Sequence, residues 1–227
     1  MAGLSLGVLV SGTGTNLQAI LDACGQRRIA AEVAVVVSNI PGAGALERAR
    51  KAGVATEVLP SKGVPDREAY DLRLVEALRA HRVDLVCLAG YMRIVTPAFL
   101  RAFGPTPESR GCPRVVNVHP GILPSFPGLH AQRQAVEYGA RFAGCTVHFV
   151  DEGTDTGPVI VQAVVPVEPD DTEETLARRI LAQEHRLYPQ AIHWFAEGRL
   201  SVQGRRVTVA GARAAAIAET NPRVEIG

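Results

Sequence analysis

Short apolar runs alternate with amphipathic stretches through the first half of the chain. The run at 4–10 ("LSLGVLV") precedes a helical pattern at 16–24, and the run at 31–38 ("AEVAVVVS") precedes another at 44–53. Gly53 is placed to end that second helix, because glycine enters the left-handed conformation that helix C-termini favour. Residues 55–60 lead into a helix over 66–81, with Asp66 as the expected N-cap and Tyr70, Leu74 and Leu78 on one stripe. The run at 83–90 is followed by a short helix starting near Pro97. Strands that are apolar on both faces, separated by helices, predict a parallel sheet covered on both sides.

The pattern then changes. In "VVNVH" (115–119) the period is two, so Asn117 and His119 share one face while Val116 and Val118 take the other. A valine strand that ends in an amide and an imidazole, then breaks on Pro120, is suited to hold something. Runs at 144–150 and 159–167 form an expected hairpin across "DEGTDTG", and a long helix follows, with Asp171 as cap and Glu174 three residues on. A last hairpin is expected in "RLSVQGRRVTVAG", and 212–227 reads as a flexible tail. Without repeats or a low-complexity linker, the expected architecture is α/β. It is a single domain over 1–211, doubly wound and mostly parallel, with an antiparallel C-terminal extension.

Composition narrows the partners. Of 227 residues, 47% are hydrophobic and 21% charged, ordinary values for a soluble globular protein. Lys plus Arg number 24 against 23 Asp plus Glu, a net charge of +1. Nucleic acid and anionic membranes are recognised by concentrated basic faces, so neither is expected here. The apolar run at 6–10 is too short for a signal peptide, and no run reaches the roughly 18 residues of a membrane span. The four cysteines are scattered, with no zinc-type spacing, so reduced thiols, a cytoplasmic location and no metal are expected.

Four places carry candidate chemistry. "SGTGTNL" is a glycine turn between a strand and a helix; it lacks the third glycine of a dinucleotide fingerprint, and its strand partner ends in Ser38-Asn39 rather than an acid. Two readings remain: one phosphate held on free N–H groups at the helix start, or a plain tight turn. "AGYMRIVTP" follows the fourth strand, where ligands of open parallel sheets sit; Met92, Ile94 and Val95 fit an apolar slot or simple packing. His119 alone reads equally as a satisfied core residue, and Asp155 as a turn former. Glu184 falls on the apolar stripe of Leu176, Ile180 and Leu187. An inward carboxylate needs a cation or a ligand amine, so it pairs with an arginine such as Arg178 or waits for substrate.

Taken together, "SGTGTNLQAI", "SNIPGAGALERARKAG", "LAGYMRIVTP", "NVHPGILPSFPGLHAQRQA", "GCTVHFVDEGTDTGPVI" and "QEHRLYP" resemble the phosphoribosylglycinamide formyltransferase family, within the folate-dependent formyltransferases, over about residues 5–200. The resemblance implies transfer of the formyl group of 10-formyltetrahydrofolate, as cosubstrate, to the glycinamide amine of 5-phosphoribosylglycinamide in de novo purine biosynthesis. It implies Asn117, His119 and Asp155 as catalytic, Gly14, Thr15 and Asn16 at the substrate phosphate, and Glu184 at the glycinamide end. Arg67, Met92, Arg93, Ile94 and Val95, with Asn117, would hold the folate. The implied partners are small molecules only, on a monomer or homodimer. The chemistry asks for these residue types in its own right. An amine attacking a formyl carbon creates an oxyanion that an amide N–H and an imidazolium stabilise, and the leaving nitrogen needs a proton.

Two departures stand out: Gly121 replaces the serine of the usual His-Pro-Ser-Leu-Leu-Pro, and 104–113 is longer than usual. The rivals are formyltetrahydrofolate deformylase, expected to carry an extra N-terminal domain, and methionyl-tRNA formyltransferase, expected to carry an added RNA-binding domain. A non-catalytic nucleotide-binding module would explain the turn but not the Asn, His, Asp and Glu set.

Overall fold

A computed structural model describes residues 3–213; the expected tail lies outside these from residue 214 onward. The chain alternates β1 (Leu4–Val10), α1 (Thr15–Gly25), β2 (Ala31–Ser38), α2 (Gly44–Lys51), β3 (Ala55–Val58), α3 (Arg67–Ala80), β4 (Leu85–Leu88), α4 (Pro97–Ala102) and β5 (Val115–His119). It continues through α5 (Ala131–Tyr138), β6 (Phe142–Phe149), β7 (Val159–Pro166), α6 (Glu173–Ala196), β8 (Leu200–Gln203) and β9 (Arg206–Val209). The strands form one sheet in the order β3-β2-β1-β4-β5-β6-β7-β9-β8. The first five are parallel, β6 runs antiparallel to β5 and β7, and β8 and β9 pair as an antiparallel hairpin. The doubly wound sheet with its antiparallel extension is as the sequence predicts.

Alternation sorts the strand residues onto two cores. Val8, Val10, Cys87, Val116 and Val118 pack with Leu17 and Ile20 of α1 and Tyr188 and Ile192 of α6. Leu9, Val35, Val86, Leu88 and Val115 pack on the other face with Tyr70, Leu74 and Leu78 of α3 and Phe99 of α4. Both faces are covered because every parallel strand has two apolar sides to bury. The strand order reverses between β1 and β4, which opens a crevice beyond their carboxyl ends.

Local signals hold with one exception. Asp66 Oδ1 accepts the Ala69 N–H at 3.0 Å, as a cap should. Gly53 sits at φ 70, and its own and the Val54 N–H bond back to Arg50 and Ala49 to close α2. At α6 the cap is Thr172, not Asp171: its hydroxyl accepts the Thr175 N–H, while Thr175 Oγ1 accepts the Thr172 N–H. Glu174 instead accepts from the Thr172 hydroxyl at 2.8 Å. Asp171 is drawn off by Arg179, whose guanidinium reaches both its oxygens at 2.7 and 3.0 Å, a forked charge-assisted pair that outbids a cap bond. All four cysteines are free thiols. Among the described residues no helix is long and apolar enough to cross a membrane.

Candidate active site

The end of β5 is read by the strand beside it. Antiparallel pairing sets Asn117 opposite His148 and His119 opposite Thr146, so the polar residues of two strands meet on one face. His148 directs Nδ1 at the Phe149 carbonyl (2.8 Å), and Asn117 Nδ2 approaches His148 Nε2 at 3.3 Å. Burial pushes the His148 pKa down, the nearby Asp155 carboxylate notwithstanding. The neutral ring then donates from Nδ1 and accepts at Nε2. That fixes the Asn117 amide with one N–H on His148 and leaves its second N–H for a ligand. Thr146 anchors the following loop, donating to the Gly121 carbonyl and accepting the Leu123 N–H. His148 and Thr146 were not among the candidates; the signal was their period-two spacing in "GCTVHFV".

Asp155 is more than a turn residue. At φ 54 it turns back toward β5, where Oδ2 accepts the Gly128 N–H at 2.8 Å and lies 3.3 Å from His119 Nδ1. Its Oδ1 is 3.7 Å from His148 Nε2. His119 is 4% exposed, and its Nε2 meets the Phe126 carbonyl at 2.8 Å. Asn117, His119 and Asp155 therefore form one constellation.

The glycine turn lies at the start of α1, where Gly14 is the N-cap at φ 77 and no side chain caps the helix. Its N–H groups are thereby left to an anion, favoured there by the helix dipole. A Cβ on Gly14 would stand 2.6 Å from the Ala45 Cβ, so this glycine also lets α1 and α2 approach. A hollow of about 280 Å³ opens at Thr15, lined also by Gln18, Asp22, Arg28, Arg48 and His185. Arg48 Nε donates to the Thr13 carbonyl, which tethers a cation to the turn. Burial, and then Arg48, push the His185 pKa down, and its Nε2 is buried without a partner. Arg28 before β2, Arg48 of α2 and His185 of α6 come from outside the turn, which is why the turn's own sequence did not reveal them.

Glu184 is 6% exposed, and among the described residues no arginine pairs with it. Its Oε2 accepts from Asn16 Nδ2 at 2.7 Å, and the buried Asn16 Oδ1 has no partner among the described residues. Burial pushes the Glu184 carboxyl up, and the Asn16 amide partly offsets this. The turn and the inward carboxylate thus belong to one site.

Segment 90–95 is tied to the turn: the Ser11 N–H donates to the Gly90 carbonyl and Ser11 Oγ accepts the Met92 N–H. Val95 is buried, while Met92 and Ile94 are 64% and 54% exposed. Arg67 is not free at the mouth, since its Nη2 donates to the Ile94 carbonyl at 2.8 Å. Arg93 stacks its guanidinium 4.5 Å from the Tyr70 ring centre, with Nε buried and unpartnered. An open cavity of about 510 Å³ lies beyond, lined by Pro97, Leu100, Phe103, Val115, Val150 and Asp151, with Gly104, Pro105 and Pro113 of the 104–113 segment. None of residues 92–95 lines it. Its walls come from 97–105, 113–115 and 150–152, stretches whose meeting no local pattern shows.

Comparison with known proteins shows what the chain is similar to. A formyl transferase family model matches residues 5–192. The chain is 45% identical over 210 residues to the phosphoribosylglycinamide formyltransferase of Escherichia coli K12, covering 92% of this chain and 95% of that protein. It is 50% identical over 193 residues to the trifunctional purine biosynthetic protein adenosine-3 of Drosophila melanogaster, covering 84% of this chain and 14% of that one. The chain therefore spans about 14% of the length of that insect relative. Glycinamide ribonucleotide transformylase 1 from Symbiobacterium toebii superposes with a TM-score of 0.86 at 56% identity, over 92% of this chain and 94% of that one.

Proposed function

The chain belongs to the formyl transferase family, and we propose that it moves the formyl group of 10-formyltetrahydrofolate to the glycinamide amine of 5-phosphoribosylglycinamide. The observation that carries this is the convergence of Asn117, His119 and Asp155 at one end of a crevice that also holds the anion-ready turn and Glu184. The ribonucleotide phosphate sits on the N–H groups at Thr15 and Asn16, with Arg48 beside them. Glu184 and the unpartnered Asn16 Oδ1 take the N–H groups of the glycinamide end. The heterocycle of the folate enters the 510 Å³ cavity, and its anionic tail leaves past the rim, where Arg67 and Arg93 are the nearby cations.

The step needs neither a covalent enzyme intermediate nor a redox change. The amine lone pair attacks the formyl carbon, and the carbonyl oxygen becomes an oxyanion facing the second Asn117 N–H and His119. Collapse breaks the bond from carbon to N10; N10 gains a proton and the amine sheds one. Asp155, 3.3 Å from His119 Nδ1, orients the imidazole that donates this proton.

The test is a formyl-transfer assay with the ribonucleotide beside a water-only control. Transfer should depend on the ribonucleotide, and formate release at the same rate without it would instead indicate a deformylase. Asn117→Ala should lower kcat on the order of a hundred- to thousandfold, the usual cost of one oxyanion donor, with ribonucleotide binding retained.

A further inference from the structure

The loop from Gly121 to Gly128 serves His119 and Asp155 together. Its Gly128 N–H holds Asp155 Oδ2, and its Phe126 carbonyl meets His119 Nε2 at 2.8 Å. Two local features make that carbonyl reachable. Phe126 lies at φ 56, in the left-handed region that residues with a side chain seldom enter and that clusters at functional sites. Gly121 lies against the same contact: a Cβ there would stand 2.8 Å from His119 Nε2 and 3.0 Å from the Phe126 oxygen. A small side chain such as the serine usual here fits only if one neighbour gives by a few tenths of an ångström, and a branched side chain would wedge between the two partners of the bond.

A carbonyl oxygen can only accept, so Nε2 must carry a hydrogen as long as this bond exists. At Nδ1 the situation differs. Its distance to Asp155 Oδ2 is 3.3 Å, longer than a well-formed bond, and that oxygen already accepts the Gly128 N–H. The other titratable neighbour is His148 on β6, which faces Asp155 from the far side. Nδ1 is the nitrogen free to exchange its contact for a substrate atom.

We propose that the Phe126 carbonyl locks His119 in the Nε2–H form, that the proton on Nδ1 is the one delivered in the reaction, and that the small residue at position 121 permits this seat. The proposal rests on the formyl-transfer function given above. As the bond from carbon to N10 breaks, the Nδ1 proton passes to N10 and leaves a neutral ring protonated at Nε2, still bonded to Phe126. The proton shed by the attacking amine restores Nδ1–H, so the cycle closes without the ring turning. Gly121 and Phe126 are positioning residues; His119 remains the catalytic one.

Two measurements test this. In wild-type protein labelled with 15N-histidine, at a pH where His119 is neutral, its ring should show the Nε2–H tautomer. The Nδ1–H tautomer would overturn the proposal, and this reading needs neither substrate nor variant. In Gly121→Val and Gly121→Leu the tautomer should become mixed. Their kcat should fall on the order of tenfold or more, within the range of general acid–base effects, while both KM values stay within about twofold. Wild-type kcat with an unchanged tautomer in both variants would overturn it too. A wild-type protein that shows the Nε2–H tautomer but no ribonucleotide-dependent transfer would sink the proposed function while the seat itself stood.

Discussion

At the residue scale, Glu184 shows a site set against stability. Burial raises the carboxyl pKa above its unfolded value, so the folded chain binds more protons over the interval between the two. Stability therefore falls as pH rises through that interval, and at neutral pH the ionised group is held at a cost. Glu184→Gln removes the cost and can still accept from Asn16. We expect a higher Tm than wild type at pH 7, the difference shrinking toward pH 4, by calorimetry across pH. The same variant should raise the ribonucleotide KM tenfold to a hundredfold, since a hydrogen bond to a charged group is worth about 1.5–3 kcal/mol. A lower Tm at pH 7 would mean that the carboxylate is a structural strut. The stripe of Leu176, Ile180 and Leu187 already showed that Glu184 points inward. Its partner was not legible, because Asn16 is 168 positions away and no local pattern connects them.

At the element scale, α6 owes its firm start to Asp171. The Arg179 guanidinium holds the Asp171 carboxyl at about 2, well below the usual carboxylate range of about 3.9. A depressed acid stabilises the fold above its unfolded pKa and loses that contribution as pH falls through the folded one. Arg179→Met should therefore lower Tm by a constant amount from pH 7 to about 5. The gap to wild type should close between about pH 4 and 2, followed by circular dichroism melts. A gap that stayed open would assign the effect to the other Arg179 bond, at 2.8 Å to the Pro166 carbonyl. The helix itself was legible from its periodicity. Its cap was misplaced by one residue because Asp171 and Thr172 are both good N-caps, and the choice rested on Arg179, two turns further along.

At the scale of the whole molecule, α4, the 104–113 segment, the start of β5 and the loop after β6 line an open cavity that none of them could form alone. If the folate heterocycle occupies it, Leu100→Trp should fill the space and raise the KM for 10-formyltetrahydrofolate at least tenfold. The ribonucleotide KM should hardly change. Steady-state kinetics with each substrate varied in turn decides this, and equal effects on both would place the heterocycle elsewhere. The sequence alone settled the parallel first half, the hairpins after it, the face shared by Asn117 and His119, and the glycine turn. Each of these follows from period or turn chemistry acting over a few residues. Only the tertiary structure decided that His148 faces Asn117, that Asp155 returns to His119, that Asn16 meets Glu184, and that the cavity lies beyond Met92–Val95 rather than among them. Periodicity tells which face a side chain takes, but not its neighbour. That neighbour is set by the register of strands and the packing of helices, which join positions far apart in the chain.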